Sequence, residues 1–132
     1  IADADSLLHK LIEDRATVDM TQFDRSLHDE VRRVLRGALM TGDCSRAEVA
    51  RRLGLHPRTL VRRLQQSGTT FQALLDDTRS HIAKQLLHDT RSPVSRIAAS
   101  LGYRDPTVFT RAFRRWTGLT PREFRAALPG KW

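Results

Sequence analysis

One segment of this chain occurs twice. Val49-Ala50-Arg51-Arg52-Leu53-Gly54-Leu55 returns in altered form as Ile97-Ala98-Ala99-Ser100-Leu101-Gly102-Tyr103, and each copy is followed by an amphipathic, arginine-bearing stretch. In both, an alanine stands four positions before a glycine (Ala50 and Gly54, Ala98 and Gly102), and an apolar anchor follows (Leu60, Phe109). A small side chain there lets two helices cross closely, and the glycine supplies the left-handed backbone that ends a helix and turns the chain. Each copy therefore reads as a helix-turn-helix unit. The offset is 48 positions at the glycine (102 against 54) and 49 at the anchor (109 against 60). Any two-helix corner can imitate one such unit; two in register commit the chain to a tandem helical architecture.

The rest of the sequence agrees. Helix signals recur throughout and strand signals are nearly absent, so the expected fold class is all-α: about seven helices forming two helix-turn-helix subdomains joined by one long helix, preceded by an N-terminal linker or helix. A helix from about Leu27 to Met40 buries Leu27, Val31, Val34, Leu35 and Leu39, exposes Arg32, Arg33 and Arg36, and stops at Gly42. Ser45 and Glu48 form a capping box for the helix that ends at Gly54, and Pro57 opens the next, which stops at Gly68. Thr69 and Gln72 offer another box, after which no glycine or proline interrupts the run from Phe71 to Asp89. That connecting helix would span about 28 Å at about 1.5 Å per residue. Ser92 and Pro93 begin the next helix and Asp105 and Pro106 the one after it; Thr120, Pro121 and Glu123 cap a last one through Leu128.

Domain organisation follows: residues 1–26 as a linker or the tail of a regulatory domain, and residues 27–128 as the double helix-turn-helix domain, with units at about 27–68 and 92–128. The stripe of Leu7, Leu8, Leu11 and Ile12 suits a short amphipathic helix that could be a dimer seam, the end of a preceding domain or a helix folded back; the polar stretch from Arg15 to Arg25 reads as linker. A first residue that is not methionine suggests an excised portion of a longer protein, although processing would give the same start.

Charge points to a polyanion. The chain carries 23 basic and 15 acidic residues, a net +8, with a pI near 11.1. Residues 1–30 hold three basic against eight acidic residues, so residues 31–132 carry 20 against seven, a net +13 located where the repeat lies. Other classes fit poorly. A chain of 132 residues leaves little core for a deep enzymatic pocket. Cys44 is the only cysteine, which excludes an internal disulfide and a cysteine-based zinc site and fits a reducing cytosol. At a helix start its thiol could be activated, but with no histidine near it in sequence an incidental, buried role is the simpler reading. His9, His28, His56, His81 and His88 include no pair at i, i+4, so neither metal nor other cofactor is expected. No apolar run approaches the length of a membrane span and no signal peptide is visible.

With Leu60 and Leu64 on the buried side, a turn of about 100° per residue sets Arg58, Arg62 and Gln66 opposite. Arginine's planar fork matches the O6 and N7 acceptors of guanine, glutamine matches the N6 and N7 edge of adenine, and residues near the helix N-terminus reach deepest. Arg63, on the flank, suits a phosphate. With Phe109 and Phe113 inward, the second helix presents Thr107 and Arg111 for bases, with Thr110 at the border, and Arg114, Arg115 and Arg104 for phosphates. Arginines on one solvated helix face often serve solubility alone; the same arrangement on two helices at equivalent places argues for recognition of double-stranded DNA. The competing class is a helical protein interaction module whose basic charge is incidental.

These residues resemble the DNA-binding domain of the AraC/XylS family of transcription factors over roughly residues 27–128. The resemblance is most specific in Ile97-Ala98, Leu101-Gly102-Tyr103, Phe109, Arg111-Ala112-Phe113-Arg114-Arg115, Gly118, Thr120-Pro121 and Phe124-Arg125, and is carried in the first unit by Val49-Ala50, Leu53-Gly54 and Pro57-Arg58-Thr59-Leu60. It implies seven helices, two of them recognition helices, in a cytoplasmic, nucleoid-associated bacterial regulator acting beside RNA polymerase, with effector sensing or dimerisation in an N-terminal domain. By position it places base contacts on Arg58, Val61 and Arg62 and on Pro106, Thr107, Thr110 and Arg111. Val61 and Pro106 have no side-chain hydrogen bond to give, so methyl contacts or none are expected there. His56 stands where the family usually has an N-cap serine, and could instead reach a phosphate.

Overall fold

Seven helices and no strand make up the described residues, 25–129, of the computed structural model. Helix α1 covers residues 25–41, followed by α2 (Arg46–Arg52), α3 (Pro57–Gln66), α4 (Phe71–Asp89), α5 (Val94–Ser100), α6 (Pro106–Thr117) and α7 (Pro121–Ala127). The expected leucine stripe at residues 7–12 and most of the expected linker lie outside the described residues; Arg25, assigned to that linker from sequence, is already helical.

The two corners close in the same way. Past α2, the Leu55 amide bonds the Ala50 carbonyl at 2.9 Å and the Gly54 amide bonds that of Arg51 at 3.1 Å; past α5, Tyr103 bonds Ala98 at 3.0 Å and Gly102 bonds Ala99 at 3.1 Å. This paired closure requires a left-handed residue after the helix, and Gly54 and Gly102 take φ of 70° and 89°. The alanines that accept the outer bond are fully buried, as a close helix crossing demands.

The capping pattern departs from expectation in three places. Ser45 accepts from the Glu48 amide, but the Glu48 carboxylate turns to Arg51 and Arg52, and the Ser45 amide is satisfied by Asp43 Oδ1 at 3.2 Å. Half a capping box remains, because two guanidiniums on the same helix offer charge-assisted bonds that outcompete one neutral amide. Thr70 rather than Thr69 caps α4, accepting from the Ala73 amide, while Gln72 bonds Asp76. At α5 the N-cap position is Pro93, with no side-chain cap, and the Ser92 carbonyl is taken by Arg125. The box at α7 is complete, with Thr120 and Glu123 bonding each other's amides at 3.0 and 3.1 Å.

Two cores form, one per unit. Leu27, Val31, Leu35, Ala38, Val49, Ala50, Leu60 and Leu64 make the first with Phe71, Leu74 and Leu75 of α4. Ala83 and Leu87 of the same helix join Ile97, Ala98, Leu101, Phe109 and Phe113 in the second, whose aromatic rings continue to Tyr103, Trp116 and Phe124. Helix α4 thus belongs half to each unit, and Ile82 touches both cores. Its one buried polar side chain, Thr78, donates to the Leu74 carbonyl at 2.7 Å, so the spacer runs unbroken from Phe71 to Asp89. Arg32, expected in solvent, is half-buried on α1 and bonds Asp77 of α4 at 3.2 Å, tying the first helix to the spacer.

Candidate nucleic-acid interface

Helices α3 and α6 are amphipathic, and their buried faces fix which side chains project. Leu60 and Leu64 have no exposed surface, and neither do Phe109 and Phe113. Opposite them Arg58, Arg62 and Gln66 are exposed on α3, and Thr107, Arg111, Arg114 and Arg115 on α6; Val61, Arg63 and Thr110 are half-buried at the borders. Arg104 lies exposed in the turn before α6.

A groove opens beside each of these helices. The first is lined by Arg46 and Ala47 at the start of α2 and by Pro57, Arg58, Val61, Arg62 and Gln65 of α3. The second is lined by Val94 and Ser95 of α5, by Pro106, Thr107 and Thr110 of α6, and is closed by Thr120, Pro121 and Arg122 of α7. The duplication extends to these linings: Arg46 and Ala47 correspond to Val94 and Ser95 at the offset of 48, and Pro57, Arg58 and Val61 to Pro106, Thr107 and Thr110 at 49. The same concavity has been built twice. Its chemistry differs, being cationic in the first unit and lined mainly by hydroxyls and methyls, with Arg122 at one wall, in the second.

Sequence reasoning missed Arg46, Gln65 and Arg122 as members of these grooves. On α3 alone Gln66 lies opposite the buried face and Gln65 beside it, while α2 and α7 enter only through tertiary packing. The signal for Gln65 was nevertheless present, since 58, 61, 62 and 65 form one i, i+3, i+4, i+7 stripe.

Pairing separates two classes of arginine. Arg32, Arg51 and Arg52 each meet a carboxylate, on Asp77 or Glu48, at 2.6–3.2 Å. Among the described residues Arg58, Arg62, Arg63, Arg111, Arg114 and Arg115 have none within 4.0 Å. Like charges left unneutralised on a folded surface repel one another, and a polyanion relieves that repulsion while releasing its own counterions.

His56 does act as the N-cap of α3. Its Nδ1 accepts from the Arg58 amide at 3.1 Å, in the place where a serine oxygen would do so. Accepting at Nδ1 puts the proton of the neutral ring on Nε2, and the side chain is exposed. The cap and a donor to a phosphate are therefore compatible on one ring.

A family model described as a helix-turn-helix domain matches residues 49–127. The ornithine utilization regulator of Pseudomonas aeruginosa is 42% identical over 113 residues, which cover 85% of this chain and 32% of that protein. An AraC-type transcriptional regulator from Chromobacterium violaceum superposes with a TM-score of 0.68 at 28% identity, covering 80% of this chain and 96% of that one. The chain belongs to the AraC-type helix-turn-helix family. The DNA-binding domain of the global transcriptional factor AdpA, solved in complex with a target DNA, also superposes, with a TM-score of 0.60 at 28% identity over 74% of this chain and 90% of that one. This AraC-type chain is thus the DNA-binding part of a transcription regulator, and it spans 22–32% of the length of the curated relatives it matches. Among the described residues no helix is long and apolar enough to cross a membrane.

Proposed function

We propose that residues 27–128 read two separate determinants in successive major grooves of promoter DNA, α3 in one and α6 in the next. The observation that supports this is the twice-built groove, lined at equivalent positions and flanked by arginines without acidic partners among the described residues. Successive major grooves on one face of B-DNA lie about 34–36 Å apart, and an unbroken spacer of about 28 Å with a unit at each end is of the right scale to serve both. Any mismatch is met by bending the duplex, at a sequence-dependent cost of a few kcal/mol.

The linings give the determinants their character. In the first unit Arg58 and Arg62 contact bases, preferring guanine, with Val61 supplying methyl contact and Gln66 and Gln65 adenine edges further along; Arg63, His56 and Arg46 hold phosphates. In the second unit Arg111 reads guanine while Thr107 and Thr110 offer hydroxyls and a methyl surface suited to thymine; Arg104, Arg114 and Arg115 clamp the backbone. Contact with RNA polymerase, control by an effector or dimerisation domain, and a role as activator belong to the whole regulator, in which residues 1–26 form the approach to this domain.

Selection of bound duplexes from a random pool tests the reading. Two short determinants about one helical turn apart are expected, Arg62→Ala relaxing one and Arg111→Ala the other, each with a loss of about 1–3 kcal/mol. Arg114→Ala should weaken all sequences alike and flatten the salt dependence by about one charge. A single determinant lost with either base-reading substitution overturns the two-groove reading.

A further inference from the structure

The two units share α4, but a shared helix alone leaves each free to rock about its own half. Besides Ile82, which packs on both cores, one polar side chain of the spacer reaches both units. From the middle of α4, the half-buried Arg79 directs Nη2 to the Cys44 sulfur at 3.5 Å, and its guanidinium carbon lies 4.9 Å from the centre of the Tyr103 ring. A Cβ built on Gly102 would stand 3.6 Å from the same Nη2, so the guanidinium also rests on the turn of the second unit. Cys44 packs at the edge of the first core and Tyr103 at the edge of the second. The Nε of Arg79 is buried without a hydrogen-bond partner, whereas Arg32, which ties α1 to α4 within the first unit, is paired through its own Nε.

A half-buried guanidinium whose buried Nε has no partner is an expensive way to fill space, and an apolar side chain would fill it without leaving a donor unmet. What the guanidinium adds is direction: an N–H for the sulfur and a cation over the ring, held at once. We infer that Arg79 is a positioning residue that fixes the orientation of the two helix-turn-helix units relative to each other and so sets the spacing between determinants that the protein accepts. Cys44 and Tyr103 are its two anchors. Burial raises the Tyr103 hydroxyl above its ordinary range, the first effect in size, with Arg79 opposing it, so the ring stays neutral under its cation. The inference rests on the two-determinant reading and adds to it the element that makes the pair rigid.

The test compares the whole chain with Arg79→Met, which keeps the stem and removes the fork, on three kinds of duplex: the selected spacing, the same determinants one base pair closer or farther, and one determinant alone. One base pair turns the second determinant by about 34° and moves it about 3.4 Å. The native chain should lose about tenfold in affinity on either shift, because a rigid pair cannot follow. Arg79→Met should lose about tenfold on the selected spacing, keep its affinity for the single determinant within about twofold, and show a one-base-pair penalty of about threefold or less. The single-determinant duplex also corrects for the removed charge. If Arg79→Met does not fold, Tyr103→Leu takes its place, since it removes the ring face alone, and the same flattening is expected. A folded variant with the native spacing profile, or an equal loss on all three duplexes, overturns the inference. A native chain indifferent to spacing would instead overturn the two-determinant reading beneath it.

Discussion

The guanidinium of Arg125 donates to three backbone carbonyls, those of Leu87 at 3.2 Å, Ser92 at 2.8 Å and Thr90 at 3.3 Å. They belong to the last turn of α4 and the link to α5, where carbonyls have no helical partner. Lysine has no fork to match this geometry, so Arg125→Lys as well as Arg125→Ala should destabilise the chain by about 2–3 kcal/mol, a fall of roughly 8–20 °C in the thermal midpoint. A midpoint within about 3 °C of the native value for the alanine variant would show that water replaces the fork. At His56 stability and binding separate. His56→Ala removes both the cap and the Nε2 donor and should cost about 1 kcal/mol of stability, whereas His56→Ser restores a capping oxygen and should leave stability within about 0.5 kcal/mol. Both should weaken DNA binding roughly two- to tenfold, since each removes the Nε2 donor offered to a phosphate.

At the scale of elements, the first-turn glutamates of α2 and α7 shape the protein's response to acid. Hydrogen bonds from Arg51 and then Arg52 hold the Glu48 carboxyl at about 2, against an ordinary 4.5. Bonds from the Thr120 amide and hydroxyl lower that of Glu123. A carboxyl depressed in the folded state binds fewer protons there than in the unfolded chain, so its stabilisation is full above about 4.5 and is lost as pH falls through the folded value near 2. Glu48→Gln should therefore lower the thermal midpoint at pH 7 and converge with the native chain near pH 2; a gap that persists unchanged into acid would assign the effect to packing. The capping chemistry also marks how far the sequence was legible. Glycine and proline positions, with the apolar periods between them, placed every described helix to within about a turn, because those constraints are local. Glu48, Thr69 and Ser92 have types that permit the capping roles the sequence suggests, but the partner each takes depends on nearby competitors or on a side chain far off in sequence. Arg46, Gln65 and Arg122 were hidden for the same reason, since a groove between helices has no sequence signature until the helices are packed.

For the molecule as a whole, the division of α4 between two cores governs how the fold can come apart. Phe71, Leu74 and Leu75 are buried with α1–α3, Ala83 and Leu87 with α5–α7, and Ile82 and Arg79 are the side chains of α4 that touch both sides. Each unit encloses a core of its own, yet neither encloses enough apolar surface to be more than marginally stable alone. Damage to one core should therefore remain largely within it. Phe113 is fully buried and packs tilted or edge-on against Phe109, Trp116 and Phe124 with ring centres 5.5–6.4 Å apart, so truncating it removes the centre of the second core. Phe113→Ala should cost about 3–5 kcal/mol, comparable with all that a unit of this size has to lose. Amide exchange is expected to show protection lost across α5, α6, α7 and the last turns of α4, while α1, α2, α3 and the first turns of α4 keep theirs. Leu64→Ala, at about 2–5 kcal/mol, should give the mirror image. A chain in which either substitution strips protection from all seven helices together would be a single cooperative body.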